Sequence, residues 1–157
     1  MIICGYPGIG KSTLAKNDKD HRYIDLESSN FYDKSTEERP DNWHVYYCQI
    51  AEDLSRQGYI VLVSCHDEVR RYLENSKERV AVIVPCENLK EEWGEKLLNR
   101  CKDSENPKDT RAYDKHMEKF EKNLDDIKNG NLMISSIISI KYDLKSVIDH
   151  IEDSFNW

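Results

Sequence analysis

The sequence predicts an α/β domain built on a sheet of parallel strands. Short apolar runs at residues 1–4, 59–63 and 80–84 are continuous rather than alternating, as in strands covered on both faces. Helical stripes separate the runs, the order that right-handed crossovers between parallel strands require. A glycine-rich stretch, Gly5-Tyr-Pro-Gly-Ile-Gly-Lys-Ser12, follows the first run directly.

After that loop, residues 12–16 read as a short helix and 22–26 as a second strand, leading into Asp25-Leu-Glu-Ser-Ser-Asn30. Pro40 starts a helix whose apolar positions are Trp43, Tyr46, Tyr47, Ile50, Ala51 and Leu54, and Gly58 ends it. The strand at 59–63 leads to a helix over 67–75 with Val69, Tyr72 and Leu73 inward. The strand at 80–84 is closed by Pro85. Helices follow over 88–101 (Leu89, Trp93, Leu97, Cys101) and 110–128 (Tyr113, Met117, Phe120, Leu124, Ile127). The polar stretch 102–108, with Asn106-Pro107, joins them. Asn129-Gly130 is a turn, residues 132–140 hold the last strand, and 143–155 form the last helix. Five strands fit one domain over 1–157, and no linker divides it.

Bulk properties narrow the function. With 23 basic and 30 acidic residues the net charge is −7. That balance disfavours non-specific nucleic-acid binding, which depends on neutralising phosphates. Five scattered cysteines without metal-ligand spacing read as reduced thiols and a cytoplasmic protein. The glycine loop begins at residue 5, leaving no room for a signal peptide before it. The longest apolar stretch is too short to span a membrane.

Residues 5–12 fit G-x-x-x-x-G-K-[ST], the phosphate-binding P-loop. Gly5, Gly8 and Gly10 allow close backbone approach, so that amides here, at Ile9 and at the helix start (Ser12, Thr13) can point at phosphate oxygens. Lys11 brings a mobile positive charge to the β- and γ-phosphates, and the Ser12 hydroxyl is a natural Mg²⁺ ligand.

The P-loop, Asp25, the run Val61-Leu62-Val63-Ser64 and the arginine-bearing helix pair before the last strand together resemble a small P-loop kinase. The type is that of the nucleotide and shikimate kinases, among the adenylate-kinase-like P-loop NTPases. The likeness covers nearly the whole chain in element order, but only the P-loop is strongly specific. It implies a three-layer sandwich with strand order 2-3-1-4-5 and a mobile helical lid over about 88–129. It also implies ATP and Mg²⁺ as cofactors and transfer of the γ-phosphoryl group to a small acceptor.

Roles carry over by position. Lys11 and Ser12 match directly. Asp25 ends the second strand, where relatives use a carboxylate to orient or deprotonate the acceptor hydroxyl or to hold Mg²⁺ through water; otherwise it caps the following turn. Glu27 and Ser28 are weaker candidates for acceptor contacts. Many relatives carry a Walker B Asp at the end of the third strand. Here Ser64 stands there and the nearest acid is Asp67. Arg70 resembles the arginine that binds acceptor phosphate, with Arg71 as the lesser alternative; a solvated helix face is the other reading. His66 is open between helix cap, solvent contact and substrate contact. Trp93, Arg100, Lys102, Lys108 and Arg111 belong to the implied lid, with Arg100 and Arg111 as catalytic candidates and Trp93 as core.

The favoured acceptor is a nucleoside or nucleotide. Phe31, Tyr32, Trp43, Tyr46 and Tyr47 could stack on a base, but a buried stripe explains the last three better. The alternatives are a polynucleotide 5′-hydroxyl kinase, a kinase for a sugar or shikimate-like acceptor, and a nucleotide-binding regulator. Partners other than nucleotide and acceptor are not legible.

Overall fold

A computed structural model describes residues 1–156 apart from the side chain of Lys108. The lid role expected of Lys108 therefore lies outside the described residues. Strands β1 (Ile2–Gly5), β2 (Tyr23–Asp25), β3 (Ile60–Ser64), β4 (Val80–Pro85) and β5 (Met133–Ile137) form one sheet in the order β2-β3-β1-β4-β5. Every pairing is parallel. This is the predicted order. Between the strands run α1 (Lys11–Asn17), α2 (Trp43–Arg56), α3 (Asp67–Leu73), α4 (Lys90–Lys102) and α5 (Pro107–Lys128), with α6 (Leu144–Phe155) last.

Burial explains the apolar runs. All residues of β1 and β4 are buried, and so are Ile60 to Val63 of β3. β5 forms one edge and keeps Met133 exposed. In register, Gly5 stands beside Ser64 on one side and Ile83 on the other. The carboxyl ends of the three central strands thus open on one crevice, where parallel α/β sheets place their ligands. Asp18 fixes the turn from α1 into β2 by accepting from the Arg22 and Tyr23 amides, the latter at 2.8 Å.

Several boundaries and faces differ from the sequence expectation. The helix expected from Pro40 starts at Trp43, with the Pro40 carbonyl accepting from the Trp43 amide at 3.0 Å. Its buried line is Trp43, Tyr47, Cys48, Ala51 and Ser55, while Tyr46 and Ile50 are 62% and 42% exposed. Trp43, Tyr47 and Ala51 repeat every four residues and set the face, which turns Tyr46 and Ile50 outward. α5 begins at Pro107, whose fixed φ and missing N–H suit a first helical position. β4 ends at Pro85, as expected, but includes it: Pro85 pairs with Ile137. No helix among the described residues is long and apolar enough to cross a membrane.

Candidate functional site

The phosphate loop lies between β1 and α1. Gly10 occupies the residue before the helix at φ 102°, ψ 23°, a left-handed conformation that side chains with a Cβ rarely hold. Gly8 has φ 89°, and a Cβ there would stand 3.0 Å from Leu97 Cδ2 and 3.2 Å from Trp93 Nε1. Glycine at this position lets α4 close directly on the loop. Lys11 folds back, and its Nζ donates to the Gly5 carbonyl at 3.0 Å. Burial lowers the pKa of Lys11, and the Asp25 charge partly offsets this. A desolvated ammonium with one neutral acceptor gains strongly from an incoming anion.

Three side chains hold the loop from outside. Trp93 Nε1 of α4 donates to the Pro7 carbonyl at 2.8 Å. The Tyr142 hydroxyl, from the loop after β5, donates to the Ile9 carbonyl at 2.8 Å. Tyr6 in the loop bonds through its hydroxyl to His116 Nδ1 of α5 at 2.6 Å. His116 Nε2 lies 2.7 Å from the Lys90 carbonyl, which can only accept, so Nδ1 accepts from Tyr6. Trp93 and Tyr142 stack with ring centres 5.9 Å apart, and Lys96 Nζ caps both rings at 4.4 and 4.9 Å. None of these links was foreseen. Tyr6 is a free position in the motif, and the others come from helices and loops distant in sequence.

Ser12 Oγ donates to Asp25 Oδ2 at 2.7 Å, joining the phosphate loop to the end of β2. Beside them Ser64 lines the same cleft. Its Oγ is buried without a hydrogen-bond partner, while its amide donates to the Tyr47 hydroxyl at 2.9 Å. A hydroxyl, a carboxylate and an orphaned hydroxyl form an oxygen set that fits Mg²⁺ held jointly with nucleotide phosphates. Asp67, the acid nearest to the missing Walker B position, is engaged by Arg70 at 3.3 Å and Arg71 at 2.9 Å. Among the described residues no cluster of three His, Cys, Asp or Glu side chains could hold a metal without the nucleotide.

A cleft of about 1440 Å³ continues from the loop past Asp25. It is lined by Gly5, Gly8, Ile9, Gly10, Lys11, Ser12, Thr13, Asp25, Glu27, Ser28, Arg70, Arg100 and Arg111, so the expected residues share one cavity. Their engagement differs. Glu27 accepts from the Ser29 amide at 3.4 Å and caps a 3-10 turn over Ser28–Phe31. Ser28 is buried, with Oγ 3.4 Å from His66 Nε2. His66 does not cap α3 through its side chain. Its ring stands edge-on to Trp43 at 5.2 Å, and burial, followed by the Arg39 charge, lowers its pKa to about 4. Arg70 is 7% exposed, and its guanidinium donates to the Cys65 carbonyl and to Asp67, both at 3.3 Å. Arg71 is on the surface.

The helix pair over 88–129 packs one face of each helix into the core. Trp93, Leu97, Phe120, Leu124 and Ile127 are all buried. What overhangs the cleft is the tip of the pair. There Arg100 Nη2 bonds to buried Asp109 at 2.8 Å, and Arg100 Nε is buried without a partner. Arg111 stacks on Tyr32, as does Arg39, which the sequence did not single out. Phe31, Trp43 and Tyr47 pack against one another at 5.4–6.0 Å between ring centres, so they form core rather than an open base platform.

The family model described as AAA domain matches residues 1–146. The chain belongs to the AAA-domain family. No curated protein matches it. Membership agrees with the sheet order and with the phosphate loop, and it makes this AAA domain a nucleotide-binding domain of the P-loop NTPase type. The match extends beyond β5 to Tyr142, the residue that grips the loop from the far side.

Proposed function

We propose that this AAA domain is an ATP- and Mg²⁺-dependent kinase acting on a small acceptor, with a nucleoside or nucleotide favoured. One observation carries the reading. The cleft that holds the Ser12–Asp25 pair is lined not only by the phosphate loop but also by Glu27, Ser28, Arg39 and His66. Hydrolysis alone needs room for a water molecule; a cleft walled by these further residues suits a second substrate.

In this reading the phosphate-loop amides and Lys11 hold the triphosphate. Mg²⁺, when bound through Ser12 and the phosphates, neutralises charge developing on the transferring group. Asp25 orients the acceptor. The new bond joins the acceptor oxygen to the γ-phosphorus, the bond to the β–γ bridging oxygen breaks, and ADP leaves. Where the acceptor oxygen is a hydroxyl, its proton passes to Asp25. Arg100 and Arg111 at the tip supply positive charge and exclude water. Closure would be confined to that tip, because the rest of the helix pair is anchored in the core.

The test is ADP release with ATP and Mg²⁺ across nucleosides, nucleoside monophosphates, 5′-hydroxyl oligonucleotides and small hydroxylated acids, with Lys11→Ala as control. Acceptor-stimulated release that depends on Lys11 establishes a kinase. Release that no acceptor stimulates makes the protein a nucleotide hydrolase or switch.

A further inference from the structure

The segment after the 3-10 turn folds back on itself. The Asp33 amide donates to the Glu38 carbonyl at 2.7 Å, and Asp33 Oδ1 accepts from Ser35 N at 2.8 Å and Ser35 Oγ at 2.6 Å. Tyr32 and Arg39 flank this closed turn and are brought side by side. Arg39 Cζ lies 5.7 Å from the Tyr32 ring centre and 4.8 Å from that of Trp43. From the other wall, Arg111 of α5 reaches the same Tyr32 ring at 5.0 Å. Arg39 Nε donates to the Ser28 carbonyl at 3.4 Å, three residues beyond Asp25, which ties the group to the acceptor half of the cleft.

One arginine on a tyrosine is an ordinary cation–π contact. Two on the same ring are different, because their charges repel. Among the described residues neither guanidinium has a carboxylate within ion-pair distance, although five other arginines and two lysines do. Burial lowers the pKa of Arg39; Glu68 partly offsets this, and the Arg111 charge adds to it. Arg70, by contrast, already has a carbonyl and a carboxylate as acceptors. Two guanidinium groups held near one aromatic ring, without a carboxylate partner among the described residues, are suited to an anion.

We infer that Arg39 and Arg111, stacked on Tyr32, form the subsite for a phosphomonoester group carried by the acceptor. The inference rests on the kinase reading for the word acceptor, but the anion site itself does not. A phosphomonoester carries nearly two negative charges at neutral pH and matches two guanidinium groups. Its arrival removes the repulsion between Arg39 and Arg111. It also ties the turn at 33–38 to the tip of the α4–α5 pair, so the acceptor itself would close the cleft.

The experiment is equilibrium binding, followed by Trp fluorescence and calorimetry, on protein saturated with Mg²⁺ and a non-hydrolysable ATP analogue so that the phosphate loop is filled. The probes are inorganic phosphate, the common nucleoside 5′-monophosphates, the matching nucleosides, and a 5′-hydroxyl oligonucleotide. We expect at least one monophosphate to bind ten-fold or more tightly than its nucleoside. Arg39→Gln and Arg111→Gln should each abolish that margin, and Arg39→Lys should restore part of it. Cooperative thermal unfolding of each variant serves as the folding control. Equal binding of nucleoside and monophosphate, a margin that survives both substitutions, or no binding by any probe overturns the inference. Tighter, Arg39-dependent binding of the oligonucleotide overturns the monoester assignment in favour of a polynucleotide. Monophosphate binding without acceptor-stimulated ADP release leaves the anion site standing and removes the kinase reading instead.

Discussion

The Tyr142 hydroxyl donates to the Ile9 carbonyl at 2.8 Å and joins the phosphate loop to a residue 133 positions away. Trp93 does the same for Pro7 from α4. Both contacts occupy loop carbonyls, while the Ile9 amide, expected to face phosphate, donates instead to the Tyr6 carbonyl at 3.2 Å. Loss of one such bond costs about 1 kcal/mol. Tyr142→Phe is expected to raise the KM for ATP several-fold with a smaller change in kcat. Steady-state kinetics over a range of ATP concentrations measures both, and an unchanged KM would show that the loop holds its shape without the clamp.

Lys11 combines a partly buried side chain with a single carbonyl partner for its ammonium. Lys11→Met removes the charge that meets the phosphates and also removes the need to desolvate it. Turnover should fall by about three orders of magnitude or more, as expected where electrostatic stabilisation dominates. The thermal midpoint should stay the same or rise. A variant that melts early would mean that the lysine is structural.

Asp25 accepts from Ser12 at 2.7 Å and lines the cleft. Asp25→Asn keeps the shape and removes the charge. The expected loss in kcat is about 100-fold or more, within the range for a positioned acid–base group, while affinity for the ATP analogue changes less than three-fold. Comparable losses in both would identify Asp25 as a nucleotide-binding residue only.

Arg100 is paired with buried Asp109 at 2.8 Å across the hairpin tip. Arg100→Ala should lower kcat more than ten-fold with little effect on nucleotide binding. A kinetically silent variant would remove Arg100 from the transfer step and leave the ion pair as a brace for the tip.

His66 has a folded-state pKa near 4, below its ordinary value of 6.5, chiefly because it is buried. The depressed pKa means that the unfolded chain binds the proton more readily, so stability falls as pH drops from about 6.5 towards 4. Arg39, Lys115 and Lys11 oppose protonation, and Glu68 favours it. The full shift corresponds to about 3 kcal/mol, and solvent contact at the ring reduces this to about 1–2 kcal/mol. Melting between pH 7 and 4.5 should show a shallower loss for His66→Gln than for the natural sequence. Equal slopes would assign the acid sensitivity to other groups, such as His116, whose pKa burial also lowers.

The phosphate loop and all five strands were legible because their signals are local. Gly8 and Gly10 report a backbone conformation, and the unbroken runs of β1, β3 and β4 report burial on both faces. The face of α2 was read too broadly. Tyr46 and Ile50 satisfy a helical period, yet the buried face is Trp43, Tyr47, Cys48, Ala51 and Ser55. Arg39 and Arg70 could not be told apart from surface charge, because charge in a sequence carries no partner list. Structure gives Arg70 the Cys65 carbonyl and Asp67, and it sets Arg39 against Tyr32 with Arg111.

The sequence by itself determined the nucleotide-binding loop, the alternation of strands and helices, and the place of Lys11, Ser12 and Asp25 at strand and helix ends. Each follows from residues within a few positions of one another, where backbone sterics and apolar periodicity act directly. Only the tertiary structure decided what surrounds that loop. The Tyr142, Trp93 and His116 clamps and the arginine pair on Tyr32 all join segments that are remote along the chain. Such contacts exist only once the sheet has brought its carboxyl ends to one edge, because hydrogen bonds and charge pairs depend on distance in space.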